Sequence, residues 1–182
     1  YEKFYQDCDD YVYENCFCNM ESSCIRSTKR MASIFEERGY KEILEIGCGI
    51  GTYSLCLEKA GFKVSVLKSK DLAFRFFLHR MNKHGSSIEV VDTLEKEYDN
   101  IFFIDVIEHV FNPFEFITQA SKFTNSMLFV HGFGVHRQDM GGYPQHSDHK
   151  ISDIKKHFES LGFTKQKLQF AFPPHLYARA LK

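Results

Sequence analysis

Between the apolar pair Ile43-Leu44 and a helical pattern that begins at Thr52 lies the segment Glu45-Ile46-Gly47-Cys48-Gly49-Ile50-Gly51. No other stretch limits the fold of this chain as strongly. An apolar run, glycines at alternate positions and an amphipathic start read as a strand, a sharp turn and a helix. Glycine adopts backbone shapes closed to other residues and lets a ligand approach the main chain. The first N–H groups of the helix have no partner within the helix and can face an anion or a dipole. Such a unit opens doubly wound α/β folds, where ligands bind beyond the carboxyl ends of the strands. The spacing departs from the dinucleotide fingerprint Gly-x-Gly-x-x-Gly, because Thr52 stands at its third glycine position.

The rest of the chain continues that alternation. Strands are expected over Glu42–Gly47, Lys63–Lys68, Ser87–Asp92, Asn100–Asp105, Met127–His131, Lys165–Phe170 and Leu176–Leu181. Helices are expected over Thr52–Ala60, Asp71–Lys83, Pro113–Lys122 and Ser152–Leu161, with Gly61, Gly85 and Gly162 where helices should stop. Apolar strands that alternate with helices predict an α/β fold, a doubly wound and mostly parallel seven-stranded sheet with helices on both faces. Pro173-Pro174 marks a short turn between the final strands, so the last strand should run antiparallel. Before the first strand, Ile25, Thr28, Met31, Ala32 and Phe35 have helical spacing up to Gly39. Residues 1–40 therefore read as an N-terminal helical cap on a domain spanning 41–182. Its aromatics, Phe4, Tyr5, Tyr11, Tyr13 and Phe17, would cover a bound ligand or pack on the sheet.

Charge removes several function classes. With 23 basic and 24 acidic residues the net charge is −1, so no general attraction to nucleic acid or an anionic membrane is expected. No apolar stretch reaches spanning length and none resembles a signal peptide, which favours a cytoplasmic protein. Nineteen Phe and nine Tyr are more than surface positions would take, so most belong in the core. Cys8, Cys16, Cys18 and Cys24 do not have the spacing of a zinc site; with Cys48 and Cys56 they read as small apolar residues.

The layout resembles the class I S-adenosylmethionine (SAM)-dependent methyltransferases over roughly residues 41–182. Glu45–Gly51 looks like the first motif of that family. Asp105-Val106-Ile107-Glu108-His109-Val110, after the strand at 101–104, looks like its "D-V-L-E-H-V" segment, and Phe111-Asn112-Pro113 then opens a helix. Leu176–Ala180 resembles its last strand. The resemblance is nearest to the enzymes that methylate small molecules. It implies that SAM is the cofactor, with Glu45, Gly47, Cys48, Gly49, Gly51 and Thr52 around its methionyl part. It further implies Lys68 and Ser69 near the ribose, Asp92 and Thr93 near adenine, and Asp105 and Val106 beside the methionine moiety.

Two departures stand out. The second strand of the family normally ends in an acidic residue that accepts from both ribose hydroxyls, whereas here Lys68-Ser69-Lys70 follow. Asp71 is close by but reads as a helix N-cap. Two lysines could instead suit a phosphorylated dinucleotide. Only Thr93–Asp99 separate the third and fourth strands, where the family often has a helix.

A long stretch without periodicity, Gly132 to Lys150, follows the fifth strand at its carboxyl end. Four of the nine histidines fall between positions 131 and 149, which makes this region the first place to look for a base. Candidates for acceptor contact or general base are His109, His131, His136, Tyr143, His146 and His149. No metal is assigned, although His146-Ser147-Asp148-His149 offers nitrogen and oxygen ligands. The expected activity is methyl transfer to O, N or C of a small-molecule acceptor. Two other readings stay open: a non-catalytic or altered-ligand binding module of the same fold, and an NADP-dependent oxidoreductase. The sequence leaves the oligomeric state open.

Overall fold

Buried apolar runs build the strands in a computed structural model that describes residues 12–13, 16, 22–130, 149–168 and 175–179. Seven strands are assigned to one mixed sheet. The described residues gather in two compact units that divide between Leu94 and Glu95.

The first unit contains helix α1 (Ser22–Glu37), strand β1 (Glu42–Glu45), helix α2 (Thr52–Lys59), strand β2 (Lys63–Leu67), helix α3 (Leu72–His84) and strand β3 (Glu89–Val91). Its strands lie in the order β3-β2-β1 and are all parallel, with Ile43 beside Val64 and Leu67 beside Val91. Parallel neighbours need crossover connections, and α2 and α3 supply them. The segments after β1, β2 and β3 therefore emerge on one edge of this unit. Ile43, Leu44, Val64 and Val66 are buried with Leu55 and Leu57 of α2 and Phe74 and Phe77 of α3.

Helix α1 buries Cys24, Thr28, Met31, Ile34 and Phe35. The expected stripe began at Ile25, yet Ile25 is 55% exposed and Cys24 takes its place inside. Positions 24, 28, 31 and 35 follow the helical period, so the small thiol wins the buried position and the larger Ile25 is left outside. The helix ends in a glycine cap: Gly39 has φ +70°, its N–H donates to Glu36, and the Tyr40 N–H donates to Phe35. The same bond pair closes α2 and α3 at the glycines read from the sequence as stops. Of the expected N-terminal cap aromatics, only Tyr13 is among the described residues, and it is exposed.

The second unit contains strand β4 (Asn100–Ile104), a single 3-10 turn (Ile107–His109), helix α4 (Pro113–Ala120), strand β5 (Ser126–Val130), helix α5 (Ile151–Ser160), strand β6 (Thr164–Lys165) and strand β7 (His175–Ala178). The order is β4-β5-β7-β6; β4 and β5 are parallel, and β7 runs antiparallel to both β5 and β6. The antiparallel end expected from the sequence is present. Its edge strand β6 is shorter than expected, in keeping with the short edges that limit pairing with other chains. Residues 169–174, with the Pro173-Pro174 turn, lie outside the described residues.

Aromatics fill this second core, as their number required. Phe129 stacks on Phe103 at 5.5 Å and on Phe158 at 5.2 Å, and Phe158 stacks on Tyr177 at 4.5 Å. The Arg179 guanidinium lies 4.2 Å from the centre of the Phe163 ring and donates to the Ser121 and Leu161 carbonyls. It joins the last described strand to the ends of two helices. No helix lies between residues 92 and 99, as the short spacing implied.

Candidate cofactor site

On the ligand edge of the first unit, the loop after β1 alternates left-handed glycines with other residues. Gly47, Gly49 and Gly51 have φ of 74°, 51° and 75°, and the Gly51 N–H closes the turn onto the Cys48 carbonyl at 2.7 Å. Gly51 is also the N-cap of α2, where no side chain caps the helix. A Cβ there would stand 2.0 Å from Cδ2 of the buried Phe77. Gly51 is thus required twice, for its backbone angle and for the close approach of α3.

Glu45 ends β1 and is 1% exposed. The Ser54 hydroxyl, in the first turn of α2, donates to its carboxylate, and the Ser54 N–H does likewise. Burial nevertheless dominates and pushes the carboxyl up to about 7, against these two hydrogen bonds. Cys48 is buried beside it. Burial raises that thiol well above its ordinary range, and the carboxylates of Glu45 and Asp71 add to the effect. Asp71 therefore flanks the loop from the end of β2.

Asp71 is the N-cap expected from the sequence. Its Oδ1 accepts from the Phe74 N–H at 2.7 Å, and its other oxygen accepts from the Ser69 hydroxyl. Each oxygen already accepts one hydrogen bond within the chain, so Asp71 serves as the cap of α3. Asp71→Ala is expected to destabilise the chain by about 1–2 kcal/mol, typical of a lost N-cap, read as a lowered midpoint in urea. An unchanged midpoint would mean that the cap contributes nothing to the folded state.

Lys68 follows β2, and its ammonium lies 2.7 Å from a carboxylate oxygen of Asp92, which follows β3. The pair is largely exposed, so it adds little stability. It does set a donor and an acceptor side by side on the edge where the loop lies. Thr93, next to Asp92, is exposed.

Sequence reasoning missed three contributors. Ser54 sits at a position where a polar residue reads as ordinary first-turn chemistry, and its burial against Glu45 appears only in the folded chain. Phe77 reads simply as core. Arg80, on α3, donates from one nitrogen, Nη1, to the Ile50 carbonyl at 2.6 Å and to Thr52 Oγ1 at 3.0 Å. Nothing in the spacing of Arg80 announces this contact, because the residues are thirty apart in sequence.

In the second unit, Asp105 follows β4 with φ 50°, and no other non-glycine residue among those described has a positive φ. Aspartate tolerates this conformation better than most residues, and such outliers cluster at functional positions. Crowding by surrounding protein raises its carboxyl above the ordinary range even though the residue keeps contact with solvent. Val106 is half-buried and leads into the turn, where Ile107 and Glu108 are buried and His109 is half-buried. Glu108 therefore packs inside. Phe111 is 87% exposed, and Asn112 caps α4 through the Glu115 N–H at 3.1 Å. His149 sets its ring edge-on to Phe114 at 5.1 Å. His131, His136, Tyr143 and His146 lie outside the described residues. Among the described residues, no group of three or more His, Cys, Asp or Glu is placed to hold a metal ion. No helix among them is long and apolar enough to cross a membrane.

Residues 18–138 match the family described as "Methyltransferase domain". Two curated relatives are ubiquinone biosynthesis O-methyltransferases. The one from Rickettsia bellii is 30% identical over 101 residues, covering 52% of this chain and 42% of the relative. The one from Hydrogenovibrio crunogenus is 34% identical over 96 residues, covering 48% and 40%. The matched part is thus less than half the length of either relative. Among solved structures, magnesium protoporphyrin IX methyltransferase from Synechocystis with bound S-adenosylhomocysteine (SAH) superposes with a TM-score of 0.72 at 15% identity, covering 98% of both chains. At that identity the likeness is one of fold.

Proposed function

This chain belongs to the methyltransferase domain family, and from that premise we propose that it transfers a methyl group from SAM to a small-molecule acceptor. One observation carries the proposal: three left-handed glycines lie beside a fully buried carboxyl at the end of β1. The glycines keep the loop free of side chains that would exclude a ligand. Glu45 is a buried acid that no ion pair neutralises among the described residues. Such a group fits the cationic ammonium of a methionyl moiety, and the donors of Ser54 hold it in place.

SAM, when bound, supplies a methyl group already activated on sulfur. Transfer would need an acceptor lone pair in line with the carbon–sulfur bond, whose electrons would stay with sulfur as SAH. The work of the protein is then to hold the two reactants in line and to take the acceptor proton where there is one. Glu45, Gly47, Cys48, Gly49, Gly51 and Thr52 are the proposed cradle for the methionyl end. Lys68, Ser69, Asp92 and Thr93 are proposed for the nucleoside. A ribose hydroxyl both donates and accepts, so a Lys68–Asp92 pair offers it one partner of each kind. Asp105 and Val106 keep their proposed place beside methionine. His109, His131, His136, Tyr143, His146 and His149 remain the proposed acceptor contacts and bases. Residues 1–40 remain a proposed cap on the domain at 41–182.

The curated relatives favour oxygen as the methylated atom. Cys24, Cys48 and Cys56 are free thiols, in keeping with a reducing, cytoplasmic setting. A second reading, a binding module without transferase activity, rests on Lys68 alone.

Isothermal titration with SAM and SAH, with NADPH as control, tests the proposal. Micromolar binding of both sulfur nucleosides and none of NADPH is expected. Binding of neither sulfur nucleoside would overturn it.

A further inference from the structure

We propose that Arg80 is a positioning residue for the cofactor: it fixes the Ile50–Gly51 peptide and the first residue of α2, and so sets the loop in its binding shape. The inference rests on the SAM-binding reading above. Both of its bonds leave Nη1, one to the Ile50 carbonyl at 2.6 Å and one to Thr52 Oγ1 at 3.0 Å. The other side of the same peptide is also held, because the Gly51 N–H donates to the Cys48 carbonyl at 2.7 Å. This peptide unit is therefore tied at its oxygen by α3 and at its nitrogen by the loop itself. Phe77, one turn earlier on α3, lies under Gly51 and limits how far the loop can sink. A single helix thus supports the loop from below and clamps it from the side.

A role in stability alone explains the residue poorly. Arg80 has no carboxylate partner among the described residues. It stands beside the N-terminus of α2, the positive end of a helix, where a cation is disfavoured. The guanidinium brings two donors on one nitrogen to a carbonyl of the glycine loop and to the hydroxyl of the first residue of α2. Charge-assisted bonds of this kind are stronger than neutral ones.

The test uses the whole chain with Arg80→Met and Arg80→Lys, titrated with SAH and melted with and without it. Arg80→Met is expected to weaken SAH binding by about 10- to 100-fold, the equivalent of losing a charged hydrogen bond. Its melting temperature without SAH should change by only a few degrees, and most of the upward shift produced by SAH should be lost. Arg80→Lys should restore most of the affinity, because both bonds leave one nitrogen and an ammonium carries three donors. Wild-type affinity in Arg80→Met would overturn the inference while leaving SAM binding intact. So would a variant whose melting temperature without SAH collapses and whose affinity Arg80→Lys fails to restore, since that marks a purely structural role. Failure of the wild-type chain to bind SAH would instead overturn the functional reading on which the inference rests.

Discussion

Gly51→Ala is expected to destabilise the chain by about 3 kcal/mol or more. Two costs add. At φ +75° a Cβ is strained, which costs about 1–2 kcal/mol. The same Cβ would also stand 2.0 Å from Phe77, a 0% exposed side chain with no room to retreat. Gly39 is the natural control. Its φ is +70°, and nothing lies within 4 Å of where its Cβ would be. Gly39→Ala should therefore cost only the backbone part, about 1 kcal/mol. Urea denaturation of both variants separates the strain from the clash. Phe77→Ala alone should cost about 3–5 kcal/mol, but combined with Gly51→Ala the total should fall clearly below the sum of the single effects. Simple additivity would show that Phe77 is not what excludes a side chain at position 51.

The second large effect falls on pH dependence. Glu45 titrates at about 7 in the folded chain, against 4.5 for an unperturbed carboxyl. The folded state holds the proton more tightly, so the stability this gives is full below pH 4.5 and is lost as pH rises to 7. Above pH 7 the ionised buried carboxylate costs about 3 kcal/mol relative to its protonated form. Glu45→Gln keeps an acceptor for Ser54 and removes the ionisation. The variant should match the wild type near pH 5 and exceed it by up to about 3 kcal/mol near pH 8. Melting curves from pH 5 to 9 would show the two diverge as pH rises. A constant offset across that range would mean that the folded chain does not raise the Glu45 carboxyl above its ordinary range.

The same substitution should weaken SAM and SAH binding, because the amide carries no charge for the ammonium. A chain that becomes more stable as it loses its cofactor is expected where a buried charge is kept for function. Wild-type binding should also release protons near pH 7, as the ammonium draws Glu45 into its ionised form. Titrations in buffers of different ionisation enthalpy measure that release.

Much of the fold was legible in the sequence. The alternation of apolar runs with helical patterns placed β1 to β5 and α2 to α5 to within a residue or two. Gly39, Gly61 and Gly85 stop helices because a left-handed residue there allows the capping bonds. Asp71 could be read as a cap because a cap depends on neighbours three residues away. On α1, Thr28, Met31 and Phe35 are buried as the spacing implies, but Cys24 and not Ile25 begins the stripe, since periodicity alone does not choose between the two. The edge strand β6 was read too long for a related reason: pairing partners, not composition, decide where a ladder ends.

The sequence by itself determined the strand, turn and helix at residues 43–57, the α/β class and the antiparallel end. Each of these depends on propensities and periods that act over a few residues. Only the tertiary structure decided that Phe77 lies under Gly51, that Arg80 holds Ile50 and Thr52, and that Lys68 pairs with Asp92 across twenty-four residues. It also decided that Glu45 is sealed from water, a property of everything packed around it. Parallel strands bring together segments separated by whole crossover helices, and the meeting of distant side chains leaves no periodic trace in the chain. The same physics explains why the glycine loop could be found by its spacing, while the residue that clamps it could not.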